Sequence, residues 1–259
     1  MSKMVSKFAL AAGIMLALAF TFSCFSSPPT SQVRPVCKGG DGYTDSYGEL
    51  TYESKTYKTV KIGDQTWMAE NLNFNAEGSK CYENDPANCT KYGRLYDWAT
   101  AMDLDEKCNK SGCKILYSEP HKGICPSGWH IPSNEEWKKL VNFVGINAGI
   151  ELKATSGWDS PMVPNKHFGS CFGSCTDEFG FSALPGGYGG SNGNFGFVDF
   201  LGWWWSVTEP SLTYAELDSR KNFNVNIAYA WNMRCSNATL DPSGSENKSN
   251  FYSVRCVQD

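Results

Sequence analysis

Apolar and polar positions along this chain change their spacing several times, and each change predicts a different element. After Ser133, Trp137, Leu140, Val141 and Val144 recur at i, i+3, i+4 and i+7, which is one stripe on a helix. Ser133 stands where an N-cap hydroxyl accepts from the backbone N–H of Glu136, and the Glu136 carboxylate can answer the Ser133 N–H. Pro132 disfavours helix at Ile131 and Gly145 ends the stripe, so both ends are marked. A second repeat, Leu95, Trp98, Ala99 and Met102, predicts a helix over 94–102. Elsewhere the period falls to two. Residues 50–53 and 58–62 read as a hairpin, Gly63-Asp64 as a turn and 65–68 as a third strand. Residues 181–185, 203–208, 222–233 and 250–257 complete the expected sheet. Two helices with an irregular antiparallel sheet and long loops make an α+β layout.

The N-terminal pattern is different. Lys3 and Lys7 precede an apolar run over 8–22, which is short for a membrane span and suits a signal peptide over 1–23. Ser23-Cys24 resembles a bacterial lipobox, which makes Cys24 the expected lipidation site; Thr21 departs from the usual Leu. Two or more acyl chains make a stable anchor. Residues 24–40 are rich in Ser, Pro and Gly and read as a flexible tether, which leaves 41–259 as the domain. A membrane-anchored lipoprotein at the bacterial outer membrane or cell surface is the expected setting.

Cysteine content fits export. Setting Cys24 aside leaves ten of the 11 cysteines, an even number that reads as up to five disulfides. Cys81/Cys89, Cys108/Cys113 and Cys171/Cys175 are close in sequence. A longer closure of Cys125 to Cys256 would tie the start of the main helix segment to the last strand and leave Cys37 with Cys235. Sequence alone does not fix this connectivity. The intervals are not those of zinc sites, and none of the three His stands near two cysteines, so no metal or other cofactor is expected. The formal charge is −4, and −6 once Lys3 and Lys7 leave with the leader. No basic face is visible, which argues against nucleic acid.

Four stretches carry a family resemblance. They are Gly128-Trp129-His130-Ile131-Pro132-Ser133 with Glu136-Trp137, then 57–72 from Tyr57 to Leu72, Gly93-Arg94-Leu95-Tyr96-Asp97-Trp98, and Tyr252-Ser253-Val254-Arg255-Cys256-Val257. Together they frame 41–259 and resemble the Fibrobacter succinogenes major paralogous domain family. More distantly, the helix stretch resembles that of formylglycine-generating-enzyme-like domains, which implies a C-type-lectin-like fold with long, disulfide-stapled loops.

That second resemblance raises an oxidase-like alternative. Such enzymes need a close pair of reactive cysteines late in the domain, and only Cys235 stands there before Cys256 of the final strand. No metalloprotease motif and no Gly-x-Ser-x-Gly elbow is present, so no catalysis is expected. Glu209-Pro210-Ser211 and Trp231-Asn232-Met233 are faintly similar to lectin calcium motifs, but Ser211 and Met233 replace expected oxygen ligands. Aromatic residues in or beside Gly/Asn-rich loops remain. Trp158, Tyr188, Phe195, Phe197 and Trp231 are the ligand-binding candidates, whereas Trp203, Trp204 and Trp205 alternate along a strand and read mainly as core. The expectation is a non-catalytic surface module binding polysaccharide or a surface protein. A purely structural envelope protein is the remaining alternative.

Overall fold

In a computed structural model of the chain, the residues described are 47–111, 113, 120–159, 175–210 and 226–259. The expected leader, lipidation site Cys24, tether and Cys37 lie outside them, as does Cys171. The described residues belong to one unit, Asp45–Asp259.

The expected hairpin forms from β1 (Gly48–Tyr52) and β2 (Lys55–Ile62), paired antiparallel with Tyr52 opposite Lys55. Its turn is Glu53-Ser54, both at positive φ, the two-residue geometry that matches strand twist. Gly63 turns the chain at φ 63° into β3 (Gln65–Met68). Two late strands complete this sheet: β4 (Trp129–His130) and β10 (Val257–Gln258), in the order β1-β2-β3-β10-β4. Val257 faces Trp67 on one side and His130 on the other, so the chain's end is laced between early and middle segments.

The main helix, α3 (Asn134–Val144), begins and ends as its sequence predicts. Ser133 accepts from Glu136 N–H, and Glu136 accepts from Ser133 N–H at 2.8 Å. Trp137, Leu140 and Val144 are buried, and Val141 packs beside them. The expected helix over 94–102 is shorter. Only α2 (Trp98–Ala101) is helical, because Leu95 and Tyr96 pair with Lys80 and Tyr252 and Asp97 caps Thr100 N–H. Two helices were unexpected: α1 (Pro86–Tyr92), started by the Asp85 side chain with Pro86 in its first turn, and the short α4 (Ala148–Glu151).

A separate three-stranded sheet consists of β7 (Leu201–Trp205), β8 (Ile227–Arg234) and β9 (Leu240–Asn247). Strand β9 has no alternating apolar pattern, and Pro242 falls inside it; it survives as an edge strand because Pro needs no ladder partner on its outer side. The Gly-rich stretch forms a small hairpin, β5 (Tyr188–Gly189) with β6 (Phe195–Gly196). Two expected strands are only isolated bridges. In 181–185 Ala183 alone pairs, with Lys153; in 250–257, Phe251, Tyr252 and Ser253 bridge three different segments before β10. The coarse class is therefore α+β, with mixed short helices and antiparallel sheets.

Three disulfides join the described cysteines: Cys81–Cys89, Cys108–Cys113 and Cys125–Cys256. Cys235 is also disulfide-bonded, to a cysteine outside the described residues. The Cys171/Cys175 pairing is not formed, since Cys175 is a free, half-buried thiol.

Candidate functional site

The two faces of the β7–β8–β9 sheet set up the site. Directly opposed residues point the same way, so Leu201 with Arg234, Trp203 with Asn232 and Trp205 with Ala230 share one face. Gly202 with Met233 and Trp204 with Trp231 share the other. The second face is closed by α3: Trp231 stacks on Trp137 at 6.0 Å and 20°, and Trp204 lies 6.3 Å from the same ring. Gly202 allows this packing, because a Cβ there would sit 2.3 Å from the Trp204 ring edge. Both indole N–H groups are satisfied, Trp231 by Asn134 and Trp204 by Asn71, each at 2.9 Å.

The first face stays partly open. Trp205 is buried near its middle and donates to Tyr96 O at 2.7 Å. Trp203 is only half-buried, and Tyr252 lies parallel to it at 5.0 Å and 16°. Tyr188 and Phe197 form a second parallel pair at 6.0 Å and 15°. Tyr188 meets Tyr252 edge-on at 6.4 Å and 81°, so the two pairs stand nearly at right angles. With Phe200, Leu201, Arg234, Ser236, Glu246 and Asn250 they line a cavity of about 490 Å³. That volume lies in the range of small-ligand sites.

Three polar side chains of this cavity, Glu246, Asn250 and Tyr252, are held by hydrogen bonds. Tyr252 donates to one Glu246 oxygen at 2.5 Å and Ser243 donates to the other at 2.6 Å. Burial, followed by the Glu246 charge, pushes the Tyr252 phenol far above its ordinary value, so it stays a donor. Asn250 donates to Tyr252 Oη at 3.2 Å and accepts from Ser191 N–H at 3.1 Å, which ties the Gly-rich turn to the wall.

Of the sequence candidates, Tyr188 and Phe197 line this cavity. Phe195 lies on the β5–β6 hairpin but packs toward Tyr82 at 5.3 Å, and it is not among the lining residues. Trp158 is half-buried elsewhere, donating to Ala183 O at 2.9 Å beneath the Lys153 ammonium. Trp231 was expected at the surface and is instead 2% exposed; its Asn-rich neighbourhood hid a partner, Trp137, that lies far away in sequence. Trp203, read mainly as core, and Tyr252, read as a strand residue of the family stretch, are the cavity's missed members. The Glu209 and Trp231 regions also have other roles: Glu209 pairs with the buried Lys248.

A second cavity, about 590 Å³, lies at the start of α3. His130 holds Asp259 through Nδ1 at 2.7 Å and Glu136 through Nε2 at 2.8 Å. Burial works against the imidazolium, but the two carboxylates outweigh it and raise the His130 pKa. Both His130 nitrogens and the Glu136 carboxylate are engaged in holding the helix start and the chain end, which makes this a structural clamp. Among the described residues no group of three or more His, Cys, Asp or Glu is placed to hold a metal ion.

Fold and site together define a disulfide-bonded α+β domain with an aromatic cavity on one face of its smaller sheet. The chain belongs to the Fibrobacter succinogenes major domain family, whose model matches residues 60–258. No curated protein and no solved structure matches it.

Proposed function

We propose that this protein is a non-catalytic binding module of the bacterial cell envelope, anchored through Cys24, that captures polysaccharide in the Tyr188–Phe197–Trp203–Tyr252 cavity. One observation carries the reading: two parallel aromatic pairs, set nearly perpendicular, line a cavity of about 490 Å³. Sugar rings present C–H groups on their faces, and aromatic faces with polar groups at their edges suit them.

Cysteine chemistry supports a non-catalytic role. Cys256 and Cys235 are both oxidised, so the late thiol pair required by the oxidase-like alternative is missing. The free thiol, Cys175, has its pKa pushed up by burial, the opposite of what an activated nucleophile needs. The C-type-lectin-like fold is part of the same proposal. It is supported by the last strand β10 pairing between β3 and β4, and by loops stapled by Cys81–Cys89 and Cys108–Cys113.

The test is a binding assay of the disulfide-intact protein on insoluble cellulose and xylan and on soluble glycans in affinity gels. Saturable binding that weakens in Tyr188→Ala and Trp203→Ala, with unchanged circular dichroism, is the expected result. A folded protein that retains no glycan in the panel would overturn the proposal.

A further inference from the structure

We infer that the cavity selects an acidic sugar, a uronic acid residue within a polysaccharide, and that Arg234 is the residue that reads its carboxylate. The inference rests on the polysaccharide reading above and narrows it. Glu246 and Arg234 are the two charged residues lining the cavity, and they are in opposite states. The Glu246 carboxylate is satisfied on both oxygens by Tyr252 and Ser243. The Arg234 guanidinium is exposed and makes no hydrogen bond or ion pair among the described residues.

Its backbone, by contrast, is held firmly. Arg234 ends β8 opposite Leu201, on the same face as Trp203. Its carbonyl accepts from the buried Lys153 ammonium at 2.6 Å, and that ammonium also holds Asn237 O at 2.7 Å. The next residue, Cys235, is disulfide-bonded and donates its N–H to Phe200 O at 2.8 Å. A rigidly based guanidinium whose five donors are unused among the described residues, next to an aromatic wall, matches a ring that carries a planar carboxylate. A neutral sugar would gain the stacking contacts and leave the fork unused. The fixed Glu246 would repel a second anionic group and so favours one carboxylate at the Arg234 end of the cavity.

Calorimetric titration of the full-length protein with oligogalacturonate and with glucuronic-acid-bearing xylan oligomers, each beside its methyl ester, tests this. Esterification removes the charge and keeps the ring. The expected result is an affinity for the acid form about tenfold above the ester, the size of one charge-assisted contact. That preference should shrink at higher salt, survive in part in Arg234→Lys and vanish in Arg234→Gln. Equal affinity for acid and ester, both lost in Tyr188→Ala, would overturn acid selection and leave the glycan site standing. No binding of either form by a protein that still binds a neutral glycan such as cellulose or xylan would overturn acid selection alone; no binding of any glycan would overturn both readings.

Discussion

The two faces of the β7–β8–β9 sheet carry the same kind of residue and end in opposite states. On one face Trp204 and Trp231 meet Trp137 of α3, and all three rings are at most 2% exposed. On the other, Trp203 and Tyr252 stack just as regularly, yet the opposite wall is a short Gly-rich hairpin instead of a helix. A helix brings a continuous stripe that fills the space between layers, whereas a two-residue hairpin brings single rings and leaves a gap. What separates core from cavity here is the element that covers the sheet.

The largest test of this contrast is truncation on the closed face. Trp204→Ala should cost about 4 kcal/mol in urea unfolding, because a fully buried indole leaves a cavity its neighbours cannot fill. A loss below about 1 kcal/mol would mean that the three-Trp packing is not what holds the two sheets and α3 together. Asn71→Ala should follow at about 3 kcal/mol, since it strips the acceptor from Trp204 Nε1 and from the buried Arg255, whose charged donors otherwise reach only main-chain carbonyls. Burial already pulls the Arg255 pKa down to about 9. On the open face Trp203→Ala should cost less, about 1–2 kcal/mol, because its ring is only partly buried, while glycan affinity should fall at least about tenfold. Equal stability losses at Trp203 and Trp204 would erase the contrast.

The closed face was half legible in the sequence and the open one hardly at all. α3 could be read to the residue because its signals are local: a capping box, a helical stripe and a terminal glycine. Trp231 could not, since its burial depends on a helix about ninety residues earlier, as the 97-residue span of its bond to Asn134 illustrates. Strand β9, with Pro242 and Gly244 in its sequence, forms because β8 offers it a ladder, and no propensity announces it. In the cavity, Tyr188 and Phe197 were found through their glycine-rich loop. Tyr252 arrives from the other end of the chain by single bridges to Tyr96 and its neighbours, a placement that periodicity does not encode.

The smallest expected effect concerns how α3 is fastened over the closed face, and it depends on pH. Asn134 at the helix start accepts from Trp231, so the cap residues around it hold the helix onto the tryptophan cluster. His130 grips Glu136 of that cap and Asp259 of the chain end, with Glu135 and His121 at the rim. Because the folded His130 pKa is raised, its contribution is complete below the unfolded value and fades as pH rises through the folded one. Glu136 runs the other way. Burial favours its protonated form, but His130 and Ser133 outweigh that and lower its pKa, so its contribution is lost as pH falls through the folded value. Between these two limits the clamp should add about 1 kcal/mol, the usual worth of an N-cap arrangement. Urea midpoints of the wild type and His130→Gln, compared across pH, should therefore differ most in that window and converge on both flanks, while glycan binding on the open face stays unchanged. Profiles that run parallel at every pH would show that the clamp is not what ties α3 to the closed face.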